Sequence, residues 1–136
     1  AIAGETLRRN RPVFMTTMPQ LLNMLRAGYD DVVSFNERAR LLEEIDLLII
    51  DDLCAEKRTA WSEEQAYTLI NARYHRRLPM VITSNVNLAE ADGMLDARIL
   101  SRLREGTQAQ GWSRLLTLPC SDVRPYIKTP VYSMSA

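Results

Sequence analysis

The sequence predicts an α/β protein built on a parallel β-sheet with helices on both faces. Three observations carry that reading. Short apolar, β-favouring runs alternate with longer segments of helical periodicity, the signature of repeated strand–helix–strand units. One run, Ile45 to Ile50, is apolar except at Asp46, as expected of a strand covered on both sides. Finally, 136 residues of which 46% are hydrophobic and 25% charged fit one globular domain large enough to bury a core.

The elements follow in order. Residues 1–9 read as the second half of an amphipathic helix, broken by Asn10-Arg11-Pro12. Val13-Phe14-Met15-Thr16 is a short strand. Thr17 is placed to cap a helix starting near Met18-Pro19, where proline is tolerated, with Leu21, Leu22 and Leu25 on one face up to Gly28. A loop is expected over Tyr29 to Ser34, then a helix over Phe35 to Glu44 with Ala39 and Leu42 on one side. The Ile45–Ile50 strand ends in Asp51-Asp52. The clearest helix runs from Ser62 to Arg77, with Ser62 as N-cap, Gln65 closing a capping box, and Ala66, Leu69, Ile70 and Tyr74 at helical spacing. Pro79 opens a strand over Met80 to Thr83, and a capped turn is expected near Asn87-Leu88. Leu95 to Glu105 reads as a basic amphipathic helix stopped by Gly106, and Arg114 to Leu118 as a last strand. Residues 1–118 are thus the expected core and 119–136 a C-terminal tail.

Composition narrows the function. Lys plus Arg number 17, as do Asp plus Glu, so attraction to nucleic acid must come from a local basic face. Cys54 and Cys120 lack a second Cys or a His at ligand spacing, which argues against zinc or a redox pair and suits a reducing cytoplasm. No apolar run approaches the roughly 20 residues of a membrane helix, so no membrane partner is expected.

In an open parallel sheet, function gathers where loops leave the carboxyl ends of the strands. Asp51 and Asp52 stand side by side at such an exit. Paired carboxylates there suit a hydrated Mg²⁺ and an oriented water, and equally suit an acidic loop start. Thr83-Ser84-Asn85 leaves the next strand, with an amide at Asn85 able to bond phosphate or water; such residues are also ordinary turn formers. Arg98 and Arg102 are four apart and share a helix face, as a phosphate clamp requires and as solvated helix faces also do. Bland roles are expected for His75, Arg73, Arg76 and Arg77 at a solvated helix end, and for Trp61 and Trp112 as partly buried rings.

Five blocks in order resemble the DnaC and DnaI replicative helicase loaders: Ile45 through Lys57 with the two acids; Trp61 with Glu64-Gln65; Ile70-Asn71-Ala72-Arg73-Tyr74; Leu78 through Asn85; and Arg98-Ile99-Leu100-Ser101-Arg102-Leu103. Residues 1–14 resemble the helix after that family's phosphate loop and the strand that follows. The resemblance implies the three-layer AAA+ (P-loop NTPase) fold and ATP hydrolysis coupled to loading the replicative DNA helicase on single-stranded DNA, with ATP and Mg²⁺ as cofactors. It implies that Asp51 holds Mg²⁺ through water and that Asp52 polarises the attacking water. It further implies that Asn85 is sensor 1, and that Arg102 is an arginine finger acting across a homo-oligomer contact.

Two departures accompany the resemblance. No G-x-x-x-x-G-K-[ST] occurs in the sequence, so the amides, lysine and hydroxyl that cradle triphosphate are missing, and weak ATP binding is expected of this chain by itself. Cys54 stands where the family commonly has Gly. The expectation is a chain lacking the first core strand and its loop. That strand lies centrally in the family's sheet, which should leave Arg114–Leu118 apart or abnormally paired. An IstB-like transposition helper and a DNA- or helicase-binding adaptor with a decayed nucleotide site are the alternatives. A phosphorelay receiver fails on order, because its acidic pair ends the first strand.

Overall fold

The structure is a computed structural model that describes residues 2–27, 32–53, 59–86 and 91–108. Along the chain come α1 (Ile2–Arg8), β1 (Val13–Thr17), α2 (Met18–Arg26), α3 (Val32–Glu44), β2 (Leu47–Asp51), α4 (Ala60–Arg76), β3 (Met80–Ile82) and α5 (Ala97–Gln108). The strands form one parallel sheet in the order β1-β2-β3. Register runs from Val13 opposite Leu47 to Thr17 opposite Asp51, and from Leu48 opposite Met80 to Ile50 opposite Ile82.

Both connections step the same way across the sheet, and right-handed crossovers therefore put their helices on one face. The packing agrees. Leu48 and Ile50 join Leu21, Leu25, Leu69, Ile70 and Ile99 in a single buried cluster, edged by Phe14, Met80 and Ile82. Leu47 and Ile49 alternate to the opposite face and are also buried, so the central strand is covered on both sides as its composition predicts. α1 packs against β1, yet Ile2, Leu7 and Met15 remain exposed.

Local boundaries follow cap chemistry. Thr17 caps α2 as expected, in a box with Gln20, and Pro19 sits in the first turn. The cap of α4 is Thr59 rather than Ser62: Ser62 is the N3 residue, accepting the Thr59 N–H at 2.9 Å while Thr59 Oγ1 accepts the Ser62 N–H at 3.1 Å. A hydroxyl at each end of the Thr-x-x-Ser spacing closes the box one turn earlier than the Ser62–Gln65 pair. The expected loop over 29–34 is helical from Val32, and α5 continues through Gly106, since one glycine weakens a helix by about 1 kcal/mol without ending it. The Asn87-Leu88 turn, the Arg114–Leu118 strand, the 119–136 tail, Cys54, Cys120 and Trp112 lie outside the described residues.

Arg73 is not solvated at a helix end; it is fully buried. Its guanidinium donates to the carbonyls of Leu42 (2.8 Å), Ile45 (2.9 Å) and Pro79 (2.7 Å), tying the end of α3 and the entries to β2 and β3 to α4. Burial pushes its pKa below the usual guanidinium value, and Nε has no partner among the described residues.

Candidate functional site

The parallel register that aligns Ile50 with Ile82 brings the exits of β2 and β3 side by side. The main chain of Thr83 extends the ladder, its N–H donating to the Ile50 carbonyl (3.0 Å) and its carbonyl accepting the Leu53 N–H (2.9 Å). The Thr83 hydroxyl then reaches both acids: Oγ1 donates to Asp51 Oδ1 (2.5 Å) and accepts the Asp52 N–H (2.9 Å). Asp52 turns back with a left-handed backbone, φ 56°, a conformation Asp tolerates better than most residues. That turn carries Asp52 Oδ1 to within 3.4 Å of Asn85 Nδ2, which donates to it. Asp51 and Asp52 are half-buried, Thr83 and Asn85 exposed, so the group forms an open rim at the carboxyl edge of the sheet.

Three of the four residues to which the resemblance assigns roles, Asp51, Asp52 and Asn85, thus meet in one constellation. Arg102 does not join them. It lies on α5 and is bound to its own chain: Nε donates to Asn71 Oδ1 (2.9 Å), Nη1 donates to Glu105 Oε2 (3.1 Å), and the guanidinium lies 5.1 Å from the centre of the Tyr74 ring. Arg98 is held in the same way one stretch earlier, by Asp96, by Glu64 and by the Tyr67 ring at 4.2 Å. The two arginines do share a helix face, and it is the face against α4. The donors from Arg98 hold the Asp96 carboxyl below its ordinary range. The Tyr74 hydroxyl does the same for Glu105, and its own pKa rises because it donates to that carboxylate.

Sequence reasoning gave Thr83 no role of its own. Its signal was the register, since a residue one past Ile82 must fall beside Asp51 once β2 and β3 pair in parallel. Among the described residues of this exit the left-handed backbone is at Asp52, and Cys54 lies outside them.

Comparison with known proteins decides the family. A model described as IstB-like ATP binding protein matches residues 1–104, more than half the chain. This chain belongs to the IstB-like ATP-binding family. It is 25% identical over 103 residues to the uncharacterized protein YdaV of Escherichia coli (strain K12), covering 76% of this chain and 42% of YdaV. It is 22% identical over 107 residues to the replicative helicase loader DnaC of the same strain, covering 78% of this chain and 44% of DnaC. The chain therefore spans less than half the length of these relatives. Among solved structures, the AMPPCP-bound DnaA of Aquifex aeolicus superposes with a TM-score of 0.67 at 19% identity, over 75% of this chain and 32% of DnaA. DnaI superposes with a TM-score of 0.66 at 27% identity, over 76% of this chain and 59% of DnaI. The fold is that of the AAA+ P-loop proteins.

The donor set can be tested against the group this IstB-like fold implies. No cluster of three or more His, Cys, Asp or Glu stands ready for a metal among the described residues. Mg²⁺ needs no such cage, because it binds through one or two carboxylates and keeps water and substrate phosphates as its other ligands. Among the described residues, the side-chain hydrogen bonds to Asp51 and Asp52 fall on Oδ1 of each. The donor chemistry of these carboxylates fits a hydrated Mg²⁺. The phosphate cradle has no counterpart in the sequence.

Proposed function

We propose that this chain carries the hydrolytic side of an ATPase that serves DNA replication in the cytoplasm, loading a replicative helicase on single-stranded DNA. In this reading residues 1–118 are part of its AAA+ core, from the helix after the phosphate loop onward, and 119–136 its tail, within a longer full-length protein. The observation that carries the reading is the meeting of Asp51, Asp52 and Asn85 at adjoining strand exits, with both acids held by Thr83.

Each residue has a separate task. Asp51, with one oxygen bonded by Thr83, would hold Mg²⁺ through water with the other. That ion, when bound, neutralises charge on the β- and γ-phosphates. Asp52 accepts a hydrogen bond from the attacking water and orients it, with Asn85 steadying the carboxylate. As a side chain shorter than Glu, Asp52 suits slow hydrolysis. Arg102 lies away from these acids, which accords with action on a neighbouring subunit's phosphates in a homo-oligomer.

Mg²⁺-ATP turnover by the full-length protein tests the reading. Asp51→Ala and Asp52→Asn should each lower kcat on the order of 10²-fold or more, the range for loss of a positioned acid–base group. Turnover indifferent to both substitutions would sink it. An IstB-like transposition helper is the second reading, favoured by the family match, and an adaptor without turnover is the third, favoured by the missing phosphate-loop sequence. Capture of a replicative helicase by the full-length protein separates the first from the second.

A further inference from the structure

We propose that Thr83 is the positioning residue of the hydrolytic site: its hydroxyl sets the Asp51 carboxylate and holds the left-handed turn that aims Asp52. The proposal deepens the ATPase reading and rests on it for its functional half.

A hydroxyl is both donor and acceptor, and Thr83 uses both capacities on consecutive residues of the neighbouring strand exit. Donation to Asp51 Oδ1 occupies one carboxylate oxygen and restrains the rotation of the group. Acceptance from the Asp52 N–H closes the turn at a residue whose φ is 56°, a conformation that needs support from its surroundings in any residue with a Cβ. The main chain of Thr83 is itself held by Ile50 and Leu53, so the hydroxyl is anchored from both sides of the turn it supports. The hydroxyl spends its hydrogen bonds on the acids and their turn. It acts through the acids, which is how a small error in their placement becomes a large loss in rate.

Serine keeps a hydroxyl at this position and valine keeps the shape without it, so the two substitutions separate chemistry from packing. Two readouts on the full-length protein test the proposal. The first, amide hydrogen exchange, needs no activity. Thr83→Val should speed exchange at Asp52 by roughly tenfold, the equivalent of one modest hydrogen bond, while Thr83→Ser leaves it near the wild-type rate. The second is the Mg²⁺ dependence of ATP turnover: Thr83→Val should raise the Mg²⁺ concentration for half-maximal rate and lower kcat, with Thr83→Ser restoring both.

Unchanged exchange at Asp52 in Thr83→Val overturns the proposal whatever the activity shows. Faster exchange with turnover and Mg²⁺ dependence intact also overturns it, reducing Thr83 to a turn residue. Turnover that is the same in the wild type and in Asp51→Ala defeats the ATPase reading instead, and the exchange result then still decides whether Thr83 holds the turn.

Discussion

Arg73 shows how one residue can be misplaced by its chemistry and correctly placed by its spacing. Charged residues near a helix end are usually solvated, which is the role sequence reasoning gives it. Yet Ala66, Ile70 and Arg73 follow one another at intervals of four and three, so the periodicity that defines the core face of α4 includes it. Two of its three carbonyl acceptors, Leu42 and Ile45, lie between the last turn of α3 and the start of β2, while the third, Pro79, also accepts the Leu48 N–H at the entry to the ladder. Arg73→Met keeps much of the stem and removes the guanidinium from the Leu42 and Ile45 carbonyls, while Pro79 keeps the Leu48 N–H; with each buried unpaired group costing ~1–3 kcal/mol and some return from no longer burying a charge, a net loss of about 2–4 kcal/mol is expected in urea unfolding. Arg73→Lys keeps the charge but not the planar fork, and should fall between the two. A loss below about 1 kcal/mol for Arg73→Met would mean that water or main-chain shifts satisfy the carbonyls.

At the scale of elements, the pairing of α4 with α5 was half legible. The basic amphipathic pattern of α5 was plain in the sequence, and so was the shared face of Arg98 and Arg102. What that face meets was not, because it depends on α4 offering a tyrosine and a polar partner twice, Glu64 with Tyr67 and Asn71 with Tyr74. Strand exits were more readable: Asp51, Asp52 and Asn85 needed only the parallel register to meet, whereas the turn that joins them depends on a side chain, Thr83, that no local pattern marks. Asp96 governs the start of α5, its Oδ1 accepting the Arg98 N–H at 2.7 Å as an N-cap does. Asp96→Ala should cost about 1 kcal/mol at pH 7. The folded Asp96 and Glu105 carboxyls both lie below their ordinary values, so the folded state binds protons less readily than the unfolded chain. Their contribution is therefore complete above the unfolded value of roughly 4 and is lost as pH falls through the folded values. Chemical denaturation of wild type and Asp96→Asn between pH 7 and 3 should give curves that converge at the acid end. A gap that stays constant with pH would show that Asp96 acts without its charge.

For the whole molecule, the informative feature is the outer edge of β3. Pro79 and Thr83 bond toward β2, so in a parallel ladder the alternate residues Met80 and Ile82 direct their main-chain groups away from it. Among the described residues no strand pairs with that edge. A parallel sheet that stops at an open, apolar edge is uncommon, because such an edge invites another strand. β3 is only half-buried, unlike β2. In the AAA+ fold the strand that precedes the phosphate loop lies beside the strand bearing sensor 1, which places it against this edge in the proposed full-length protein. The Met80 and Ile82 amides should then exchange quickly in the 136-residue chain and far more slowly in the full-length protein, with Val81, bonded toward β2, slow in both. Such a change would put the missing phosphate cradle directly beside Asp51, Asp52 and Asn85, since a loop leaving the added strand opens at the same carboxyl edge. If instead Met80 and Ile82 are equally protected in both, the edge is already covered within these 136 residues, and a nucleotide site completed by an inserted central strand has no room to form.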